Sequence, residues 1–213
     1  MRGIMARVKI HVYTGGPVAC NGYLLETAEG LVAVDAPLGF ADWARSRVPQ
    51  GKEITHLLLT HQHFDHVQDA ARLQEATGCR IHAVYPYSSM LTLQETARSW
   101  GISPVEPYRV DDAFGRGGTG GDWGGEHWQA LAIPGHSSDG AAYYLEENGL
   151  LFVGDIIFAG SIGRTDFPEG SQARLLAGIR EKIMPLPPET QIMSGHGPAT
   201  TLQEEMLNNP YLT

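Results

Sequence analysis

Thr60-His61-Gln62-His63-Phe64-Asp65-His66 is the stretch of this 213-residue chain that decides its fold and its chemistry. It places three imidazoles and one carboxylate in the order H-x-H-x-D-H. Imidazole nitrogens and carboxylate oxygens are the donors that zinc, iron and manganese accept in proteins. From the His and Asp frequencies of the chain, such a run should arise by chance in roughly one sequence of this length in a thousand. The stretch therefore predicts a metal site.

Three further candidate ligands, His136, Asp155 and His196, each follow a short apolar run, as His61 does. The four runs cover residues 54–60, 131–135, 150–154 and 191–195. Short apolar runs of this kind predict buried strands. If the strands end along one edge of the sheets, the candidate ligands converge although they are far apart in the sequence.

A glycine immediately precedes three of these candidates: Gly135, Gly154 and Gly195. Glycine allows the backbone to turn sharply, or to approach a metal with no side chain in the way. The repeated order of strand, glycine and ligand predicts a single site. Its seven members are His61, His63, Asp65, His66, His136, Asp155 and His196.

The ordered motifs THQHFDH (60–66), PGH (134–136), GD (154–155) and GHGPATT (195–201) closely resemble those of the metallo-β-lactamase superfamily. More narrowly, GSIGRTDFP (160–168) followed by GHGPATT resembles the short glyoxalase II-like (hydroxyacylglutathione hydrolase-like) thioesterases. The resemblance covers nearly the whole chain. It implies an α/β (α+β) fold, the four-layer αββα sandwich of the superfamily. We expect one domain over residues 1–213, without the C-terminal helical glutathione-binding domain of full-length glyoxalase II enzymes.

Segments outside the motifs alternate between strand-like and helix-like patterns. The first thirty-five residues alternate apolar and polar positions, which predicts antiparallel strands. The glycine-rich segment 115–125 predicts a flexible hairpin loop away from the metals, rather than a phosphate cradle. Helices are predicted over 41–48, 66–78, 87–100 and 172–183, and a last one begins at the Thr201–Glu204 capping box.

The resemblance also implies two divalent metal ions, with zinc favoured and iron or manganese as alternatives. The first ion would be held by His61, His63 and His136. The second would be held by Asp65, His66 and His196. Asp155 would bridge the two ions, and Asp65 would also orient the metal-bound hydroxide as a catalytic residue. That hydroxide would attack a small acyl thioester, such as a 2-hydroxyacyl-glutathione, whose thiolate leaving group needs little protonation.

Three more residues are candidates around this centre. Asp35 occupies the strand-end Asp position of the family, where it either orients a ligand histidine or shapes a turn. His56 lies inside a strand-like run and is expected to be either a core residue or a support behind the ligands. Arg164 is the candidate for an anionic substrate group, although an ion pair with Asp166 or Glu169 is an equal alternative.

The two cysteines, Cys20 and Cys79, are too few for a disulfide framework. Cys79 is predicted to be a buried thiol at the start of a strand. Cys20 precedes Asn21-Gly22 in a predicted turn. Since no histidine lies near it in the sequence, a catalytic or redox role is not favoured.

Composition narrows the choice of partner. A net charge of -9 and a pI near 5.4 give no basic footprint for nucleic acid, so a small-molecule substrate is favoured. The start, Met1–Met5, lacks the apolar core of a signal peptide, and no apolar stretch reaches membrane-spanning length. We therefore expect a cytoplasmic protein that does not bind membranes; the sequence does not indicate its oligomeric state.

Two alternatives to hydrolysis remain. The GRTDF string (163–167) also resembles persulfide dioxygenases, which hold a single iron through two His and one Asp. Those enzymes usually lose the His-Gly-Pro pattern that this chain keeps at 196–198, which favours two metals and hydrolysis. A non-catalytic metal-binding scaffold would normally have lost one or more ligands, and all seven are present here.

Overall fold

The computed structural model describes residues 8–213. The sequence predictions on Met1–Met5, and the first seven residues of the predicted domain, lie outside this range. Within 8–213, no helix combines the length and the apolar character needed to cross a bilayer.

The described chain forms strands β1–β14 and helices α1–α6. The strands are β1 Lys9–Gly15, β2 Cys20–Thr27, β3 Gly30–Val34, β4 Ile54–Leu58, β5 Arg80–Ala83, β6 Asp112–Ala113, β7 Thr119–Trp123, β8 Glu126–Ala132, β9 Ala141–Leu145, β10 Leu150–Gly154, β11 Ile157–Phe158, β12 Ser161–Ile162, β13 Gln191–Ser194 and β14 Thr200–Thr201. The helices are α1 Phe40–Arg45, α2 Phe64–Val67, α3 Ala70–Thr77, α4 Gln94–Ser99, α5 Gln172–Gly178 and α6 Leu202–Asn208. A 3₁₀ turn covers Glu146–Asn148, and a π-helical segment, Ile179–Ile183, continues α5.

Two six-stranded sheets carry the fold. The first has the order β1-β2-β3-β4-β5-β6, with antiparallel pairing up to β3 and parallel pairing from β3 onward. The second has the order β14-β13-β10-β9-β8-β7 and is antiparallel except for the β10–β13 pair. Of the antiparallel strands predicted for the first thirty-five residues, those in the described part, from residue 8 onward, are therefore confirmed.

Neighbouring residues along each strand belong to different hydrophobic clusters, because successive side chains of a strand point to opposite faces. Leu57 packs with α1 and α3 on the outer face of the first sheet, whereas Leu58 packs between the sheets. Phe152 also lies between the sheets, whereas Leu151 packs with α5 and α6 on the outer face of the second. Three apolar clusters thus separate four layers, and the predicted αββα sandwich is confirmed.

Strand direction explains how distant candidate ligands meet. In the second sheet β8 and β10 are each antiparallel to β9, so they run the same way, and β13 is parallel to β10. The carboxyl ends of β8, β10 and β13 therefore lie at one edge. In the first sheet β3 is parallel to β4, so the segments that follow these two strands begin at the same edge of that sheet.

The helix predictions held for some segments and failed for others. The prediction over 172–183 is confirmed by α5 and its π-helical continuation, and the Thr201 cap is confirmed because its side chain accepts the Glu204 N–H. The prediction over 66–78 was wrong in its continuity, since α2 and α3 are separate helices. The prediction over 41–48 is confirmed only in part, because α1 ends at Arg45.

The helix predicted over 87–100 was wrong in its first half, because only α4 forms. Backbone groups of residues 88–92 are used by other elements: the Ser88 N–H donates to Gln62 Oε1, and the Thr92 carbonyl accepts the Phe64 N–H. Leu93 then adopts a left-handed conformation with φ 51° before α4 begins. Tertiary contacts therefore override helix propensity here.

The glycine-rich segment forms a hairpin, as predicted, but half of it was wrongly interpreted as loop. Residues 119–123 form the edge strand β7, and the turn itself is Gly124-Gly125, with positive φ at both residues. Two-residue turns of this kind suit the twist of antiparallel strands. The turn lies just before the start of β8, whereas His136 lies after the end of β8. The turn and the candidate ligands are therefore at opposite ends of this strand.

Candidate metal centre

The structure brings all seven candidate ligands together at one edge of the sandwich. His61 and His63 lie in the loop after β4, and Asp65 and His66 lie in α2. His136 follows the end of β8, Asp155 follows the end of β10, and His196 follows the end of β13.

One group consists of imidazoles alone. Donor nitrogens of His61, His63 and His136 lie within 4.8 Å of one another, and all three residues are buried. The closest pair is His136 Nε2 and His63 Nδ1, which are 2.9 Å apart. These are the three residues that the resemblance assigns to a first ion.

The second group contains both histidine and carboxylate. Asp65 Oδ2 lies 3.1 Å from His196 Nε2 and 3.6 Å from His66 Nε2. The carboxylate of Asp155 lies between the two groups. Its Oδ1 is 3.3 Å from His66 Nε2, and its Oδ2 is 3.5 Å from His136 Nε2. Asp155 thus presents one oxygen to each group, so it could be shared between two ions.

Two observations test whether these residues fit metal ions. His61 Nε2, His66 Nε2 and Asp155 Oδ1 are buried atoms without a hydrogen-bond partner among the described residues. Buried polar atoms normally have partners, and these three atoms form a donor set that a cation would satisfy. In addition, a Cβ on Gly195 would come within 2.5 Å of His66 Cε1 and 2.6 Å of Asp155 Oδ1. The glycine keeps this space free, and the donor set fits divalent metal.

Hydrogen bonds behind the cluster fix the imidazole rings. Asp35 Oδ2 lies 2.8 Å from His66 Nδ1, and the same carboxylate accepts the N–H and O–H of Thr60. His136 Nδ1 lies 2.8 Å from the Arg164 carbonyl. These contacts leave Nε2 of both rings facing the centre, which is the usual arrangement of metal-binding histidines.

The protonation preferences of the two groups differ. Burial, together with the neighbouring histidines, lowers the pKa of His61 well below its usual range and the pKa of His63 to about 3. Burial also acts to lower the pKa of His66, but the charges of Cys20, Asp65 and Asp155 outweigh it and raise the pKa well above its usual range. The histidines of the first group therefore favour the neutral form, which is the form that binds metal, whereas the carboxylates around His66 favour its protonated form.

Two other predicted residues have different surroundings. The ring of His56 stacks on His82 with centroids 5.3 Å apart, and its Nδ1 lies 2.9 Å from Thr55 Oγ1, so the structure does not bring it behind the ligands. Arg164 forms a two-pronged ion pair with Asp166 at 2.7 and 2.6 Å. The ion-pair alternative for Arg164 is therefore the one that the structure contains.

Sequence reasoning missed a contact between two motif loops. The buried carboxylate of Asp139 accepts the Gln62 N–H at 3.0 Å and contacts the Ser137 hydroxyl. The Gln62 side chain in turn donates to the carbonyls of Tyr85 and Pro86. No local pattern in the sequence indicates this contact, because it joins positions 77 residues apart.

Sequence reasoning also missed Cys20. It is the first residue of β2 rather than part of a turn, and it is fully buried. Its Sγ and one donor atom each of Asp65, His66 and His196 lie within 4.8 Å of one another. Burial raises the pKa of the thiol to about 12 in this structure. No sequence signal indicated this contact, because it forms across 45 residues of chain.

A cavity of about 410 Å³ opens onto the cluster. Its walls are mainly apolar, and Arg164 is the one lysine or arginine of residues 8–213 that lines it. The apolar wall residues are Val18, Phe64, Leu93, Trp100, Phe158, Ile162 and Phe167. Apolar cavities with a few convergent polar groups are typical small-molecule sites.

Proteins that are similar to this chain in sequence or in fold include enzymes and solved structures. "Hydroxyacylglutathione hydrolase GloC" of Haemophilus influenzae is 35% identical over 195 residues, covering 90% of this chain and 92% of that protein. The crystal structure of TTHA1623 "in a di-iron-bound form" is 36% identical with a TM-score of 0.81, covering 95% of this chain and all of that one.

Two more solved structures are similar. BLEG-1 B3 metallo-beta-lactamase is 30% identical with a TM-score of 0.85, covering 96% of this chain and 100% of that one. ETHE1 from Myxococcus xanthus is 25% identical with a TM-score of 0.75, covering 95% of this chain and 83% of that one. The family model described as "Metallo-beta-lactamase superfamily" matches residues 15–196. With its four-layer fold and its convergent His and Asp residues, this chain belongs to the metallo-β-lactamase superfamily.

Proposed function

We propose that the protein is a dinuclear metal-dependent hydrolase, specifically a glyoxalase II-like thioesterase that cleaves small acyl thioesters. The observation that carries the proposal is the pair of donor groups joined by Asp155. One oxygen of this carboxylate faces His66 and the other faces His136. The likeness to the Haemophilus influenzae hydroxyacylglutathione hydrolase supports the same reaction class.

Two divalent ions, when bound, would lower the pKa of a shared water and polarise the scissile carbonyl. The protein residues position these partners. Asp65 and Asp155 supply negative charge that offsets the repulsion between two cations, and Asp35 and Thr60 hold ligand rings in place. The further, catalytic role assigned to Asp65 in this proposal is to accept a hydrogen bond from the attacking water.

The cavity supports a small, mainly uncharged substrate. Phe158 and Phe167 form part of its wall beside the cluster, and Arg164 is engaged by Asp166 and stacked 4.3 Å from the ring centroid of Phe167. A substrate would therefore be held by its carbonyl and sulfur at the metals and by apolar contacts elsewhere. A thiolate leaves without needing a proton donor, which fits a site whose buried histidines are committed to metal.

Elemental analysis combined with a panel of substrates tests the proposal. Protein purified without chelators should contain close to two metal ions per chain and should hydrolyse acyl thioesters faster than a β-lactam. Asp155→Asn should lose at least one ion and most of the activity. Asp166→Asn is the matched control, because Asp166 pairs with Arg164 and contacts no candidate ligand side chain. Equal metal loss in both variants would refute the ligand assignment.

A mononuclear-iron persulfide dioxygenase is the second candidate, supported by the GRTDF string and the likeness to ETHE1 from Myxococcus xanthus. It predicts one iron per chain, oxygen uptake with glutathione persulfide, and retention of iron in a His196→Ala variant. Two ions per chain and no oxygen uptake would exclude it.

A further inference from the structure

We propose that Cys20 is an additional protein ligand of the second metal ion and favours a thiophilic ion such as zinc there. The proposal rests on the two-metal centre described above. It adds a sulfur donor to a site that the family motifs describe with nitrogen and oxygen alone. Three lines of structural evidence carry it.

The first is the position of the sulfur. Cys20 Sγ belongs to a cluster of four donor atoms with Asp65, His66 and His196, all within 4.8 Å of one another. Within this cluster, Asp65 Oδ2 is already 3.1 Å from His196 Nε2 and 3.6 Å from His66 Nε2. Ligand atoms around a tetrahedral zinc ion are separated by roughly 3.3–3.8 Å, given its bond lengths. A contraction of at most about 1.5 Å would therefore bring the sulfur into coordination.

The second is the poor hydrogen bonding of these atoms. His66 Nε2 is fully buried and forms no hydrogen bond among residues 8–213, although Asp155 Oδ1 lies 3.3 Å from it. The hydrogen bond described for Cys20 Sγ is a long contact of 3.7 Å to the carbonyl of its neighbour Asn21. A buried thiol next to an orphaned imidazole nitrogen and a carboxylate is a donor set that a metal ion would complete.

The third is the way in which the sulfur is held. Asn21, the next residue, donates its backbone N–H to the Gly195 carbonyl at 2.7 Å and its side-chain amide to the Gly197 carbonyl at 2.9 Å. Tyr23 donates its hydroxyl to the Ser194 carbonyl at 2.6 Å. The start of β2 is therefore fixed to the loop that carries His196. These bonds hold the backbone that carries the sulfur beside the loop that carries the imidazole.

Coordination requires the thiolate, so the S–H bond breaks as the sulfur–metal bond forms, and the proton passes to solvent. No electron transfer is involved. Thiolate prefers zinc and cobalt over manganese, because it is a soft ligand. The sulfur would therefore make the second site more selective than the three-histidine group.

Cobalt substitution provides the test. Chelator-stripped protein is loaded with two equivalents of Co²⁺ and its near-ultraviolet spectrum is recorded. We expect a sulfur-to-cobalt charge-transfer band in the wild type and in Cys79→Ser, whose cysteine is also buried but lies outside the cluster. The band should be absent in Cys20→Ser. That variant should also bind its second zinc ion about tenfold more weakly or worse, and discriminate less against manganese.

A measurement on the unchanged protein guards against a variant that does not fold. X-ray absorption at the zinc edge of the two-zinc protein should show sulfur scattering at about 2.3 Å. Two bound ions with no sulfur scattering and no charge-transfer band would overturn the role of Cys20 and leave the dinuclear centre intact. One bound ion with the band absent would overturn both proposals. One bound ion with a Cys20-dependent band would keep the sulfur ligand and refute the dinuclear centre.

Discussion

Replacing Gly195 by alanine adds one methyl group at the point where β13 passes His66 and Asp155. A Cβ at this position would lie 2.5 Å from His66 Cε1 and 2.6 Å from Asp155 Oδ1. Ordinary carbon–carbon contacts are about 3.5–4.0 Å, so a displacement of about 1 Å is needed. The backbone φ of Gly195 is outside the left-handed region, so alanine is disfavoured by space and not by backbone conformation.

Neither side of this contact can yield easily. The Gly195 N–H donates to the Gly154 carbonyl at 2.8 Å, and the Gly195 carbonyl accepts the Asn21 N–H at 2.7 Å. His66 is fully buried and held by Asp35 at 2.8 Å. Metal–ligand distances tolerate about 0.2 Å. We therefore expect the second ion to bind at least about 10- to 100-fold more weakly, or about 1.4–2.7 kcal/mol.

Calorimetric titration of chelator-stripped protein with zinc measures this loss directly. Gly117→Ala is the matched control, since Gly117 also lies outside the left-handed region and a Cβ there meets nothing within 4 Å. The control should bind both ions like the wild type, and Gly195→Ala should keep the first ion. Wild-type affinity for the second ion in Gly195→Ala, with circular dichroism showing an intact fold, would refute the geometry of the proposed centre.

Three further predictions concern pH, stability and substrate. Burial raises the pKa of Asp139 to about 6, so the folded state binds this proton more tightly than the unfolded chain, and stability falls as the pH rises from about 4 to 6. Asp139→Asn should remove this loss of stability. In denaturant titrations, the free energy of unfolding of the variant should exceed that of the wild type by up to about 3 kcal/mol at pH 7 and should equal it at pH 4. A difference between the two proteins that does not change with pH would contradict this prediction. Thr201→Ala should lower the free energy of unfolding by about 1 kcal/mol by removing the cap of α6, and Thr201→Ser should not. A truncated lactoyl thioester should have nearly the kcat of lactoyl-glutathione, with a modestly higher KM; a loss of several orders of magnitude in kcat/KM would indicate a glutathione pocket distinct from the cavity.

The strand ends could be predicted because each depends on a short-range pattern, whereas the layer order was implied by the resemblance to the metallo-β-lactamase superfamily. An apolar run followed by glycine and a ligand marks where a strand ends, as at Gly154-Asp155. Alternation along a strand determines which side chain faces which layer, as at Leu57 and Leu58. Such patterns are local and survive in a single sequence.

The failures share a different cause, since each depends on contacts between segments far apart in the chain. Gln62 takes the Ser88 N–H, which shortens the predicted helix over 87–100. His56 lies within β4 like an ordinary strand residue, and its contact with His82 depends on the parallel pairing of β4 with β5. Neither contact leaves a periodic signal in the sequence.

Cys20 is the case with the greatest consequence for function. Its distance in sequence from every candidate ligand argued against a role at the site, yet the same reasoning would have separated Asp65 from His196, which are 3.1 Å apart. His196 was included because a recognised motif surrounds it, and Cys20 was left out because none does. The two residues reach the centre by the same route, since β2 is fixed to the loop after β13 by the Asn21 hydrogen bonds. Topology therefore brings the thiol and the imidazole into the same group of donor atoms, and under the proposal above the sulfur would make the two halves of the centre prefer different metals.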